Sequence, residues 1–281
     1  MTPATVGGLL GWASAELAGA GIGNGARDAR LIMAATLSVA PERITLMTYD
    51  AIDAASEAAF MASIQLRAQG HPVSHLVGGR LFYDRWFRVT PDVLDPRPET
   101  EELIAEALRE TFADVLDLGA GSGAIILTLL AERTEAVGMA TDISEAALRV
   151  ATENAATLGV DRRVHFEVSD WFTEVRGEHD LIVSNPPYIA ATEMDDLQPE
   201  VRLYEPRIAL TDEADGLTAY RKITAGAPDH LRPGGRLIVE IGPTQAAAVS
   251  AMFESAGLTE IRVTQDLDGR DRVVSGRKPL N

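Results

Sequence analysis

From about residue 113 onward, short apolar runs of strand type alternate with helical patterns, and that alternation admits few folds. Val115-Leu116-Asp117-Leu118 reads as a buried strand, followed by a glycine turn and the apolar helix Ala124–Glu132. Residues 136–141 read as a second strand, and Ser144 is placed to cap a helix over Glu145–Leu158. Val164–Val168 is a third strand and Leu181-Ile182-Val183 a fourth. After a long loop come a helix near 217–225, a turn at Pro233-Gly234-Gly235 and a strand over 236–241. Residues 245–256 read as a helix. Strands over 261–265 and 272–276, with no helix between them, predict an antiparallel hairpin at the sheet edge. Alternation of this kind buries a mostly parallel sheet beneath helices on both faces.

The first 70 residues have a different pattern, rich in Ala and Leu, with helical periodicity over 6–17, 26–38 and 54–68. Leu31, Ala34, Ala35 and Leu37 recur near helical spacing, which predicts one buried face. His71-Pro72 ends this small bundle, because the residue before proline is pushed out of the helical region. Aromatic segments on either side of Asp84-Arg85 predict a hairpin turning at those two residues. Beyond Pro91, Pro96 and Pro98, Glu99-Thr100-Glu101-Glu102 opens a helix running to about 111, its acids suited to the positive end of the helix dipole. The expected division is a helical domain over 1–70, a linker with a β-hairpin over 71–90, and an α/β domain over 91–281.

Composition narrows the function. Of 281 residues 46% are apolar, enough for a sizeable core, and 25 Lys+Arg against 42 Asp+Glu leave a net charge of −17. A protein that grips duplex nucleic acid needs a basic footprint, so no direct nucleic-acid binding is expected. The chain has no Cys, which excludes disulfides, thiolate metal sites and a cysteine nucleophile. The uncharged run over 118–131 is shorter than the ~18 residues of a membrane span, and no basic residue precedes Arg27 as a signal peptide requires. A cytoplasmic monomer with no membrane association is expected. The five histidines lack metal-ligand spacing, and neither Ser122 nor Ser184 sits in a G-x-S-x-G elbow, so no metal site or serine hydrolase is expected.

Two segments carry chemistry. Asp117-Leu118-Gly119-Ala120-Gly121-Ser122-Gly123-Ala124 joins a strand end to a helix, where glycines let the backbone bend and let a ligand approach closely. Asp142 closes the second strand, 142 − 123 = 19 residues after the last glycine, where a carboxylate can accept both hydroxyls of a ribose. The pair points to a nucleoside cofactor without choosing one, because Gly119-x-Gly121-x-x-Ala124 also satisfies the dinucleotide pattern. Asn185-Pro186-Pro187-Tyr188 makes the choice. It follows the fourth strand at the carboxyl edge of the sheet, where α/β folds bind ligands. The Asn185 side chain and the Pro186 carbonyl offer oxygen acceptors to a planar –NH2 group, with Tyr188 as a flat wall beside it. Such a site grips an amide or exocyclic amino nitrogen, and a hydride-transfer enzyme has no use for it.

On these residues the chain resembles class I S-adenosylmethionine-dependent methyltransferases, and more narrowly the bacterial release factor glutamine methyltransferases of the PrmC/HemK family. Asp28-Ala29-Arg30-Leu31, Arg97-Pro98-Glu99-Thr100-Glu101, Glu205-Pro206-x-x-Ala209-Leu210 and Asp271-Arg272-Val273-Val274 match that family nearly end to end. Asp95, and Thr211-Asp212-Glu213-Ala214 in place of a usual Gly-Gly, depart from it. The resemblance implies a Rossmann-like, mostly parallel seven-stranded sheet behind the helical bundle, which would recognise the protein substrate. It implies S-adenosyl-L-methionine as cofactor, leaving as S-adenosyl-L-homocysteine, held by Gly119, Ala120, Gly121, Ser122, Gly123, Asp142, Asp170, Trp171 and Asn185. Asn185, Pro186 and Tyr188 would be catalytic, and with Pro187 would bind the substrate. The implied reaction methylates the side-chain nitrogen (N5) of the glutamine in the Gly-Gly-Gln motif of class I release factors. The alternatives are the glutamine of ribosomal protein uL3 or adenine N6 in nucleic acid.

Overall fold

A computed structural model describes residues 4–280, which form two compact units. The smaller is helical. Its elements are α1 (Val6–Gly19), α2 (Gly25–Thr36), a 3-10 turn at Pro41–Met47, α3 (Ala54–Ala68) and α4 (Val73–Val77). Val6, Leu9, Ala13 and Leu17 of α1 fall at helical spacing and are buried with Ile32, Met33, Phe60 and Ile64. Thr5 caps α1 by accepting from the Gly8 N–H, and the Asp53 carboxylate caps α3 by accepting from Ala55 and Ser56. Inside the bundle, Arg67 Nε lies 2.8 Å from Asp28 Oδ2, and both side chains are buried. The bundle does not end at His71-Pro72: α3 stops at Ala68, with Gly70 at a φ of +95°, Pro72 opens α4, and the unit continues to Gly79.

The larger unit begins at Arg80, within the hairpin of β1 (Gly79–Phe82) and β2 (Arg85–Arg88). Its turn is Tyr83-Asp84, one residue earlier than predicted. Both residues have positive φ, +47° and +58°, the backbone twist that two-residue hairpin loops favour. A 3-10 turn at Pro98–Thr100 leads into α5 (Glu101–Leu108), shorter than the predicted helix. The rest alternates: β3 (Asp114–Leu118), α6 (Ala124–Glu132), β4 (Val137–Asp142), α7 (Glu145–Leu158), β5 (Val164–Val168) and β6 (His179–Ser184). The long loop after β6 holds a 3-10 turn at Ala191–Asp196, then α8 (Pro199–Tyr204) and α9 (Arg207–Leu210). It is followed by α10 (Thr218–His230), β7 (Leu231–Glu240), α11 (Ala246–Ser255), β8 (Thr259–Gln265) and β9 (Asp271–Arg277).

The sheet order is β5-β4-β3-β6-β7-β9-β8, parallel except for β9, which inserts antiparallel between β7 and the edge strand β8. The predicted terminal hairpin is therefore present. The predicted turn at Pro233-Gly234-Gly235 is instead a bulge within β7, where the register jumps from His179 opposite Leu231 to Leu181 opposite Arg236. Pro233 has no N–H to give to a ladder, and Gly234 takes a φ of +80°. One face of the sheet is covered by α5, α6 and α7 over Leu103, Ile104, Ile126 and Leu130; the other by α10 and α11 over Tyr220, Ile223, Val249 and Phe253.

One stretch of the long loop does not stay with the sheet. Gln198–Tyr204, carrying α8, belongs to the helical unit, where Glu200 lies 2.5 Å from Arg67 and the Tyr204 ring rests 4.2 Å from that of His71. Among the described residues, no helix is long and apolar enough to cross a membrane.

Candidate active site

Strand register assembles the site. Leu118 of β3 pairs with Thr141 on one side and Ser184 on the other, so Gly119, Asp142 and Asn185 leave three adjacent strands at one level of the carboxyl edge. There they line a cavity of about 530 Å³, within the range of small-ligand sites. Ala120, Gly121, Ser122, Asp170, Trp171 and Pro187 line it too. Gly123, Pro186 and Tyr188 are not among the lining residues.

The glycine turn is built inward. The N–H groups of Gly119 and Ala120 donate to the Thr141 carbonyl at 2.8 and 2.9 Å, Gly121 donates to Asp142 Oδ2 at 2.9 Å, and Gly123 to the Ala120 carbonyl at 2.8 Å. At the start of α6, Ile126 N–H donates to the buried carboxylate of Asp117 at 3.3 Å. Phosphate-binding turns aim such N–H groups at the ligand; here those of Gly119, Ala120, Gly121 and Gly123 are spent within the protein, and an acid already stands at the helix N-terminus. Gly123 serves packing: its φ is +79°, and a Cβ there would sit 2.8 Å from Leu127 Cδ1 and 3.2 Å from Ala151 Cβ.

Burial raises the Asp142 carboxyl above its usual range, while backbone N–H bonds from Ser144 and Gly121 oppose this. Burial pushes Asp117 further, up to about 7. Trp171 follows β5 with a φ of +54°, uncommon for a bulky residue, and its carbonyl accepts from Ser169 Oγ at 2.8 Å. Its ring comes within 4.0 Å of where a Gly119 Cβ would be, so it faces bare backbone at the turn. Asp170 forms an ion pair with Lys222 of α10 at 3.1 Å. The other lining cations are paired as well, Arg97 with Glu205 at 2.7 Å and Arg207 with Glu213. An acid-rich cavity whose bases are already engaged suits a cationic nucleoside better than a phosphorylated one.

Asn185 Nδ2 donates to Thr100 Oγ1 at 3.3 Å. Pro186 is buried. The half-buried Tyr188 packs its ring on the core beneath α10 and α11, its carbonyl accepting from Gln245 Nε2 at 2.9 Å. A Cβ at Gly216 would lie 2.3 Å from that carbonyl, so glycine is required there. Burial first, then the Glu240 charge, push the Tyr188 hydroxyl up, which keeps it neutral.

The family departures have local answers. Asp95 is buried against Arg80 at 2.8 Å, and the Asp212 carboxylate accepts from the N–H groups of Ala214, Gly216 and Thr218 to open α10. Within the same segment Glu213 holds a φ of +57°. Lys222, Thr100 and Glu240 were not singled out from sequence as site residues. Thr100 did lie inside a matching signature, whereas nothing local marks Lys222 or Glu240.

An inserted antiparallel strand in an otherwise parallel seven-stranded sheet, with a glycine turn, an acid and an Asn-Pro-Pro-Tyr loop at its carboxyl edge, is the architecture of a class I methyltransferase. Residues 98–201 match the family model described as methyltransferase small domain, and residues 8–78 the PrmC N-terminal domain. A methyltransferase from Pyrococcus furiosus shares the fold, with a TM-score of 0.54 at 16% identity, over 81% of this chain and all of that one. A release factor glutamine methyltransferase of Cereibacter sphaeroides is 57% identical over 264 residues, covering 94% of this chain and 95% of that protein. Its counterpart in Caulobacter vibrioides is 43% identical over 274 residues, 95% of each. The chain belongs to the release factor glutamine methyltransferase family.

Proposed function

We propose that the cavity binds S-adenosyl-L-methionine, and that the enzyme methylates the N5 nitrogen of the glutamine in the Gly-Gly-Gln motif of class I release factors. The reading is carried by one observation: Gly119, Asp142 and Asn185 emerge side by side from β3, β4 and β6 into a single cavity. Asp142 retains lone pairs for two ribose hydroxyls, Trp171 and Asp170 would flank the adenine, and most N–H groups of the glycine turn are already engaged within the protein. Bound there, the cofactor supplies a methyl group on a positively charged sulfur.

An amide nitrogen is a poor nucleophile because its lone pair is delocalised into the carbonyl. Asn185 Oδ1, at the cavity wall, accepts one of its N–H groups, and the Pro186 carbonyl, behind that wall in the unliganded chain, would take the second as the substrate enters, which favours a pyramidal nitrogen aimed at the methyl. Alignment of this kind supplies part of the ~7–11 kcal/mol available to well-placed reactants. The helical unit provides the second contact surface that a protein substrate presenting one glutamine needs. The test incubates the chain and labelled cofactor with a release factor, with uL3, or with an adenine-bearing oligonucleotide. Label on the release-factor glutamine is expected; label on uL3 or the oligonucleotide alone would overturn the substrate assignment.

A further inference from the structure

Behind Asn185 lies a buried acid that the reaction as described does not use. Ser184 of β6 pairs with Val239 of β7, so the next residues, Asn185 and Glu240, stand side by side at the strand ends. Glu240 is only 1% exposed, and its Oε2 has no hydrogen-bond partner among the described residues. Its main-chain carbonyl is anchored by the Tyr220 hydroxyl at 2.9 Å, and its backbone pairs with Val273 of β9. Thr100, also buried, completes the group: its Oγ1 accepts from Asn185 Nδ2 at 3.3 Å, which leaves the hydroxyl hydrogen for another acceptor. Burial pushes the Glu240 carboxyl up to about 7, opposed by the neighbouring polar side chains of Thr100 and Asn185 and by the Arg272 charge.

An asparagine amide offers a donor on one side and an acceptor on the other, and its neighbours decide which faces outward. An ionised carboxylate accepts only. Placed beside Asn185, it draws the –NH2 end inward, and Thr100 relays the same demand. The opposite setting would face a substrate –NH2 with another –NH2, and the grip would fail. We infer that Glu240, acting through Thr100 and directly on Asn185, is a positioning residue that fixes the Asn185 amide with Oδ1 toward the substrate nitrogen. The inference rests on the reading that Asn185 holds the substrate amide.

The experiment compares Glu240→Gln, Thr100→Val and Thr100→Ser with the parent chain and Asn185→Ala, using intact release factor and S-adenosyl-L-methionine. Thermal stability and S-adenosyl-L-homocysteine affinity are measured on the same samples. Glu240→Gln introduces an –NH2 that can pull Asn185 Oδ1 inward, and Thr100→Val removes the relay. Each is expected to lower kcat by roughly 10- to 150-fold, the scale of a charge-assisted hydrogen bond, with KM for the release factor and cofactor affinity within a few-fold of the parent. Thr100→Ser keeps the hydroxyl and should restore kcat. Parent-like kcat in folded Glu240→Gln, or in Thr100→Val where Glu240→Gln does not fold, would overturn the inference. Parent-like methylation by Asn185→Ala would instead remove the reading on which it stands.

Discussion

The main-chain N–H of Gly121 donates to Asp142 Oδ2 at 2.9 Å, tying the turn after β3 to the end of β4 through one carboxylate. Asp142 therefore shapes the turn as well as facing the cavity. Asp142→Ala should weaken S-adenosyl-L-homocysteine binding by roughly 10- to 150-fold, since charge-assisted hydrogen bonds contribute ~1.5–3 kcal/mol. Calorimetry on the folded variant checks this, and unchanged affinity would place the cofactor elsewhere.

Gly123→Ala should destabilise the chain without touching the cavity lining. The new methyl meets Leu127 and Ala151, and the backbone stays in the left-handed region. A loss of ~1–3 kcal/mol is expected. For a unit of this size that lowers the melting temperature by roughly 2–4 °C per kcal/mol, read by differential scanning calorimetry.

The buried Arg67–Asp28 pair and the more exposed Arg67–Glu200 pair share one guanidinium, so they can be compared directly. Asp28→Ala leaves a buried cation short of its partner and should cost ~3–5 kcal/mol. Glu200→Ala should cost no more than ~1 kcal/mol, because its carboxylate is a third exposed. Urea unfolding followed by circular dichroism distinguishes them, and equal losses would refute the ranking.

The parts readable in the sequence were those whose signals are local. Over α7, the Ser144 hydroxyl accepts from Ala147 N–H at 3.2 Å and Gly159 closes the helix in the left-handed conformation, so both ends are written within a few residues of where they act. The glycine turn and Asp142 were likewise visible, because a strand end and a fixed spacing mark them. What escaped depends on partners far along the chain. Glu240 meets Asn185 only because β7 pairs with β6 in one register, and Lys222 reaches Asp170 across 52 residues. The short helices α8 and α9 carry too few turns to show a period, and the bulge at 232–235 imitates a turn because proline and glycine serve both.

Asp117 makes stability depend on pH. Its carboxyl titrates near 3.9 in the unfolded chain and, pushed up by burial, at about 7 in the folded one. Between those values the native state holds a proton that the unfolded state has released, so stability falls as pH rises through this window and levels off above it. Asp117→Asn removes that proton, and its unfolding free energy should lose up to ~1.4 kcal/mol per pH unit less than the parent's. Parallel curves for the two ligand-free chains between about pH 5 and 8 would exclude Asp117 as the titrating group.

A chain beginning at Arg80 should keep the sheet, whose helices cover both faces unaided, and bind S-adenosyl-L-homocysteine within about tenfold of the parent, ~1.4 kcal/mol. Its methylation of release factor should fall through a raised KM. Full activity toward the intact factor would deny the helical unit a role in recognition.

Because Gln198–Tyr204 belongs to the helical unit, that unit is not finished when its first 79 residues have been made. As the polypeptide leaves the ribosome, α1 to α4 wait for a piece that arrives more than a hundred residues later, after β3 to β6 have already been synthesised. Until then Arg67 lacks Glu200, and His71 lacks the ring of Tyr204. The N-terminal unit is thus begun first and can be completed only after four strands of the sheet have been synthesised.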